Sequence, residues 1–381
     1  MLSAHETKTL LQAFYGGVPP PPRLAEKSLV GLDTLLGEWR KDLAGYVTNG
    51  GSLLRIVVAP AGSGKTHLGE ALKAEAANRG FLVCQIDAQS QGTNADDLLL
   101  YRAFCGGLRL PAQYLDGLVE EAGLFGVLRD VATRMTGPEV RAKLKDVKVP
   151  VPALKDALAN AIDAIQLGRL PGPSGPGWQA MIQSIGGEKF ARYGSLAKLR
   201  LAYEDAFRGM KRLPGKRDAR LWMESMLLAL RPLGFPGVLL ILDEHDERKT
   251  TSLDQSIVQL RQQLDRLAEG NLPGTFVLYL VLEDFPDRVQ MNHAALNQRI
   301  APLLEKARLP TRLMTELRHV RDASGAEFLR AVGRRLFELV RGEQPAPEID
   351  AQLVALATKH TKLKTPDTRS FVQAIAPLLE G

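Results

Sequence analysis

The run Ala59-Pro60-Ala61-Gly62-Ser63-Gly64-Lys65-Thr66 has the residue types and spacing of a phosphate cradle. Gly62 and Gly64 let backbone N–H groups turn inward around anionic oxygens with no Cβ in the way. Ala61, Ser63 and His67 would complete that backbone cradle. The helix opening after it aims the positive end of its dipole at the same point. Lys65 would reach the β and γ phosphates of a nucleotide, and the Thr66 hydroxyl would sit on Mg²⁺. One position departs from the usual pattern: Ala59 stands where a glycine is customary. A second constellation lies nearly half the chain away. Val238 to Leu242 is an unbroken apolar run that ends in Asp243-Glu244-His245-Asp246. There Asp243 would organise the Mg²⁺ shell, and Glu244 would polarise an attacking water as general base.

A sheet must bring these groups together. Leu53–Val58 reads as the strand before the loop, His67–Asn78 as the helix after it, and Phe81–Ile86 as the next strand. Asp87 ends that strand, with Gln89 and Gln91 beyond it. These residues could touch a nucleotide or a partner, or simply begin a loop. The run Val238–Leu242, bounded by Pro236-Gly237 and by acids, reads as a strand buried on both faces, as in a parallel sheet. A helix over Ser252–Leu267 follows, then a further buried strand over Thr275–Leu282, closed by Glu283-Asp284. Beyond Asn292 no strong strand signal remains. Gly325–Val340, Gln352–Ala357 and Arg369–Leu379 read as the helices of a small lid.

The expected fold is therefore α/β: a P-loop NTPase parallel sheet with a large helical insertion and a C-terminal helical lid. The boundaries implied are an N-terminal arm and linker over 1–51, a core over 52–310 and a lid over 311–381. Tyr15-Gly16-Gly17-Val18 and the prolines after it read as a rigid extended connector. Too much chain separates Lys65 from Asp243 for a minimal sheet. The surplus of about 100 residues falls in mostly helical text at 96–231, where partner or substrate contacts are expected.

Composition narrows the class. With 45% hydrophobic and 24% charged residues the chain reads as an ordinary globular protein, and no apolar run approaches a membrane span. The N-terminus lacks a signal-peptide core. Two cysteines, Cys84 and Cys105, give neither a disulfide framework nor metal-ligand spacing, so a reducing cytoplasm is expected. The net charge of +6 permits contact with DNA. Basic residues gather at Arg141–Lys148, Lys211–Arg220 and Arg330–Arg341. Few aromatics interleave with them, which argues against a single-strand stacking platform.

The layout over Leu29–Leu110 and from Gly237 onward resembles the AAA+ superfamily, near its origin-recognition and transposition-regulator branch. That resemblance implies an arginine finger acting in trans on a neighbouring subunit's γ-phosphate. Arg299, in Leu296-Asn297-Gln298-Arg299-Ile300, is the candidate, with Arg288 and Arg308 competing. It also implies a lid arginine. Arg369, in Thr365-Pro366-Asp367-Thr368-Arg369, opens the final helix as that residue does. The strand Thr275–Leu282 sits where a polar sensor belongs, but its Glu283-Asp284 end departs from the family's pattern, so the sensor stays unassigned.

A closer resemblance is to the ATP-binding proteins of BREX-type bacterial phage-exclusion systems. Phe14-Tyr15-Gly16-Gly17-Val18-Pro19-Pro20, Val30-Gly31-Leu32-Asp33, Gly50-Gly51-Ser52 and Thr365-Pro366 carry it. It implies ATP and Mg²⁺ as ligands and a cytoplasmic ATPase of antiviral defence. Such a protein forms a homo-oligomer or a hetero-complex with other defence-system components, near DNA and away from any membrane. A nucleotide-dependent scaffold or loader, its assembly state set by ATP, is the competing expectation. A helicase is not expected, since about 140 residues after the acidic box are too few for a second motor domain. A kinase fits poorly with adjacent acids closing an apolar strand.

Overall fold

The structure is a computed structural model that describes residues 2–87, 96–112, 122–166, 176–188, 195–203, 212–243, 265, 272–292, 296, 313–317, 325–362 and 365–380. Besides a two-residue antiparallel pair at Thr361–Lys362 and Thr365–Pro366, its described strands are β1 (Leu53–Val58), β2 (Leu82–Asp87), β3 (Leu108–Arg109), β4 (Val238–Asp243), β5 (Thr275–Val281) and β6 (Met314–Glu316). They form one sheet in the order β3-β2-β4-β5-β1-β6. Every pairing is parallel except that of the two-residue edge strand β3 with β2. The sheet is thus mostly parallel but mixed, where a wholly parallel one was expected. A two-residue strand leaves no periodicity to read.

Parallel strands are covered on both faces, which is why β4 and β5 are buried throughout. Alternation divides the sheet cleanly. Leu54, Ile56, Leu82, Cys84, Leu240, Leu242, Val277 and Tyr279 face one core. Val57, Val83, Leu239, Ile241, Phe276, Leu278 and Leu280 face the other. The first core is closed by the helices of the 96–231 stretch, among them Asp97–Gly107, Gly123–Arg134, Ala153–Gln166 and Ala219–Leu230. The second is closed by Asp33–Lys41 and by the helix after the loop, Lys65–Asn78. Each buried Leu, Ile or Phe stabilises its layer by about 1.5–3 kcal/mol. The helical stretch is therefore one whole layer of the molecule, not an appendage to it.

Two elements lie outside the sequence expectation. β6 pairs with β1 at Ile56–Val58, so the sheet continues past residue 310, where the lid was expected to begin. At three residues it is too short to show an alternation. Leu35–Tyr46 reads as helical in the sequence and is so, as Asp33–Lys41 running into a π-helical turn at Asp42–Val47, but two further helices precede it, Ala4–Gly16 and Pro22–Ser28. Ser3 and Glu6 form a capping box that starts the first helix. Its Leu10, Leu11 and Phe14 share a core with Leu329, Leu336, Leu353, Phe371 and Ile375 of the C-terminal helices Gly325–Arg341, Pro347–Lys359 and Thr368–Glu380. Those three helices cover the stretches read from periodicity; the first and third match within a residue at each end, while Pro347–Lys359 begins five residues before and ends two after Gln352–Ala357.

Candidate functional site

β1 ends at Val58 and the chain turns through Ala59–Gly64 into the helix Lys65–Asn78. Gly62 (φ +73°) and Gly64 (φ +95°) both take the left-handed conformation, as the cradle requires. Ser63 Oγ donates to the Pro60 carbonyl at 2.6 Å and pins the turn. Lys65 is 7% exposed. Its ammonium donates to the carbonyls of Ala59 (2.5 Å) and Pro60 (2.9 Å). Burial pulls its pKa down from 10.5 to about 8, and Arg369 pushes the same way against the opposing pull of Asp243 and Glu283.

Register sets the second half of the site. Asp243 pairs with Leu280 of β5, and Val58 with Val281, so the acid and the loop stand on the same edge of the sheet. They are separated by one intervening strand, about 10 Å between strand axes. The loop helix bridges that gap. Thr66 Oγ1 donates to Asp243 Oδ2 at 3.4 Å, and Gln85 Nε2 donates to the same oxygen at 3.4 Å. Asp243 is 1% exposed. β2 also sets Asp87 directly opposite Asp243 in register.

These groups fit a hard divalent cation. A hydroxyl and a buried carboxylate are oxygen donors, and Mg²⁺ takes one or two of those from the protein while phosphates and water supply the rest. Among the described residues no cluster of three or more His, Cys, Asp or Glu side chains could cage a metal by itself.

A cavity of about 380 Å³ opens beside the loop. Ala61 to His67 form one wall. Val18, Pro19, Leu29 and Val30 form a second, and Phe328, Val332 and Arg369 a third. The volume lies in the range of small-molecule sites, polar at the loop and apolar away from it. The C-terminal helix Thr368–Glu380 is fastened to the loop directly. The Arg369 N–H donates to the Gly62 carbonyl at 3.2 Å. Asp367 caps the final helix, accepting from the Ser370 N–H at 3.0 Å and the Ser370 hydroxyl at 2.7 Å. A Cβ on Gly62 would lie 3.1 Å from Asp367 Oδ1.

His67 opens onto the cavity, but its imidazole points into the N-terminal segment. Nε2 lies 2.9 Å from the Ala25 carbonyl and 3.1 Å from Ser28 Oγ. A carbonyl only accepts, so Nε2 carries the proton. Burial pushes the ring's pKa down, leaving a neutral clasp between the loop helix and Pro22–Ser28.

The expected connector is instead a close-packed turn. Gly17 has φ +61°, and a Cβ there would fall 2.6 Å from the Gln373 amide and 3.3 Å from Arg369 Cγ. Gln373 Nε2 donates to the Tyr15 carbonyl at 3.3 Å. Gly17→Ala should therefore lower the melting temperature, with a cost of about 1 kcal/mol from the backbone alone. Gly16→Ala, at a glycine with no positive φ and only a 3.6 Å contact with Val18, is the control expected to melt near wild type.

The structure thus gathers Ala61, Gly62, Ser63, Gly64, Lys65, Thr66, His67 and Arg369 around one cavity, with Asp243 beside Thr66. Glu244, Arg299 and Arg308 lie outside the described residues, as do Gln89, Gln91 and nearly all of the helix expected at 252–267. Arg288 falls within the helix Phe285–Asn292. Three contributors escaped the sequence reading. Glu283, left unassigned, acts electrostatically on Lys65. Val18 and Pro19 of the N-terminal wall belong to the stretch read as a connector, whereas the Val30-Gly31 turn beside them is of the kind that lies against an adenine. Gln85 reaches Asp243, and its one signal was a long polar side chain inside the apolar strand Leu82–Ile86.

A mostly parallel α/β sheet, with this loop at the carboxyl end of one strand and a buried aspartate two strands along, is compatible with a P-loop NTPase. Within that class, residues 2–120 match the family described as BREX system ATP-binding protein BrxC/D, and over that stretch the chain resembles it. The match takes in the N-terminal helices, the loop with its helix, β2 and β3. Asp243 and the lid lie beyond it. No curated protein and no solved structure matches the chain. Among the described residues no helix is long and apolar enough to cross a membrane.

Proposed function

We propose that the chain binds ATP with Mg²⁺ and hydrolyses it, as an AAA+-like switch or motor in BREX-type antiviral defence. The observation that carries this reading is the approach of Thr66 to Asp243 across the sheet, beside a buried lysine in a glycine cradle. In this reading the backbone amides of Ala61 to Thr66 hold the β-phosphate, and Lys65 shares its charge between β and γ. Thr66 and Asp243 would be the protein-side donors to Mg²⁺, which when bound would supply charge neutralisation for the phosphates. Glu244 accepts a proton from the attacking water, and Arg369 reaches the phosphates from the lid. Arg299 from a neighbouring subunit stabilises charge as the γ-phosphoryl departs. The apolar end of the cavity, with Val30 and Phe328, suits the flat face of a base.

The decisive experiment is ATP turnover against protein concentration, with and without DNA, at two salt levels. A rate per subunit that rises with concentration supports the trans arginine; a flat profile removes it. Support for DNA contact is the +6 charge and the family context. Against it, several basic residues are answered internally. Arg141 pairs with Asp163 at 3.0 Å, Lys216 with Asp96 at 2.8 Å, and Arg334 with Asp350 at 2.6 Å. Stimulation by DNA that collapses at the higher salt would establish phosphate contacts.

A second reading is favoured by the cavity's walls, which come from three separate stretches of chain. A nucleotide there would tie them together, as in a scaffold whose assembly state depends on ATP. Such a scaffold keeps its function when hydrolysis is blocked.

Lys65 makes binding pH-dependent with a definite sign. Its ammonium is half titrated near pH 8 in the folded chain, below the usual 10.5. A triphosphate favours the charged form, so binding at pH 8 should take up about half a proton. Affinity should then fall by up to about tenfold per pH unit above that. Calorimetry in buffers of different ionisation enthalpy measures the uptake; no uptake at pH 8 would remove Lys65 from the site. The same group opposes folding fully below about pH 8. That cost fades as pH rises toward 10.5, because the unfolded chain then holds more protons.

A further inference from the structure

Beneath the loop a line of polar side chains runs away from Asp243 on the face of the sheet that carries the loop helix. Asp243 Oδ2 accepts from Gln85 Nε2 at 3.4 Å. Gln85 Oε1 accepts from the Lys73 ammonium, and Lys73 pairs with Glu70 at 2.5 Å. Lys73 is only 5% exposed, so its position is fixed by these partners rather than by solvent. Glu70 and Lys73 both belong to the helix Lys65–Asn78, whose first turn carries Lys65 and Thr66.

The chemistry of the amide makes this line directional. An ammonium only donates, so the end of Gln85 that faces Lys73 must be its oxygen. The NH₂ end is then committed to Asp243. Register agrees: Gln85 pairs with Ile241, two residues before Asp243, so both side chains leave the sheet on one face. A lysine reaching Asp243 directly would compete with a divalent cation for the carboxylate. A neutral amide between them passes on orientation without passing on charge.

We propose that Gln85 is a positioning residue for the metal carboxylate. It orients Asp243 for Mg²⁺, with Lys73 locking the amide and Glu70 holding Lys73. The proposal rests on the nucleotide reading given above and deepens it. Partners that orient a ligating group are commonly worth about 10- to 100-fold in metal affinity. It also links the metal carboxylate to the same helix that grips the phosphates.

The test compares nucleotide affinity by calorimetry in EDTA and in excess Mg²⁺, for wild type, Gln85→Leu, Lys73→Met and the double variant. Wild type should bind ATP more tightly with Mg²⁺. Gln85→Leu should keep the metal-free affinity within about twofold while the Mg²⁺-dependent gain falls by about tenfold. Lys73→Met should reduce the same gain less, because the amide remains but is free to turn over. The double variant should be no worse than Gln85→Leu alone, since both changes break one line. Equal losses with and without metal, or additive losses in the double variant, would make Gln85 a packing residue and overturn the proposal. A melting temperature for each variant identifies any that fails to fold, and Gln85→Met then replaces Gln85→Leu. Failure of the wild type to bind ATP under either condition would overturn the nucleotide reading itself, an outcome distinct from an unchanged Mg²⁺ gain in Gln85→Leu.

Discussion

Lys65→Ala should weaken ATP binding by about 100-fold or more, the equivalent of roughly 3 kcal/mol for charge-assisted hydrogen bonds in a desolvated site. The variant should nevertheless fold. The ammonium sits among the loop's own carbonyls at a cost visible in its lowered pKa, so its removal relieves a buried charge. Two measurements separate the possibilities. Calorimetry reads the affinity and a thermal melt without nucleotide reads the fold. Wild-type affinity in a well-folded Lys65→Ala protein would dismiss the cradle assignment, whereas a protein that no longer melts cooperatively would say only that Lys65 is structural. Arg369, also lining the cavity, supplies a contrast. Removing its charge should raise the Lys65 pKa, because Arg369 helps to depress it.

Glu244→Gln should act on the other arm of the kinetics. Its change is isosteric, and it removes the carboxylate's charge together with its capacity to accept a proton. A general base contributes about 10²- to 10⁴-fold to such a step, so turnover should fall within that range while ATP affinity stays near wild type. The same variant separates the two proposed functions. A switch or motor driven by turnover loses its biological output in this background. A scaffold retains it with ATP held in place. Full turnover in Glu244→Gln would take the general base away from the acidic couplet and leave Asp243 as its only assigned member.

The parts of this fold that could be read from sequence are those where one physical signal dominates. β4 and β5 are continuous apolar runs because parallel strands are covered on both faces. The loop is legible because glycine, lysine and threonine each answer a separate demand of a phosphate. Asp243 follows from its place at the end of a buried strand. What stayed hidden depended on tertiary context. β6 is three residues long and owes its existence to the free edge of β1. The first helix is amphipathic but short, and its apolar face is explained only by Leu329 and Phe371, more than 300 positions further on. Gln85 is a polar residue inside an otherwise apolar strand. Its role appears only when β4 is laid beside β2. The turn at Gly16-Gly17 was read as a stiff spacer because prolines follow it. Neither the left-handed Gly17 nor the side chains pressed against it can be inferred from a local window.

The first helix and the last are joined by more than apolar packing: the Tyr15 hydroxyl donates to Glu380 at 2.6 Å. Val18 and Pro19, a few residues on, face the same cavity as Arg369. The cavity beside Gly62–Thr66 is thus shaped by side chains more than 300 positions apart, and a substitution in Thr368–Glu380 would be felt at the loop as directly as one beside it.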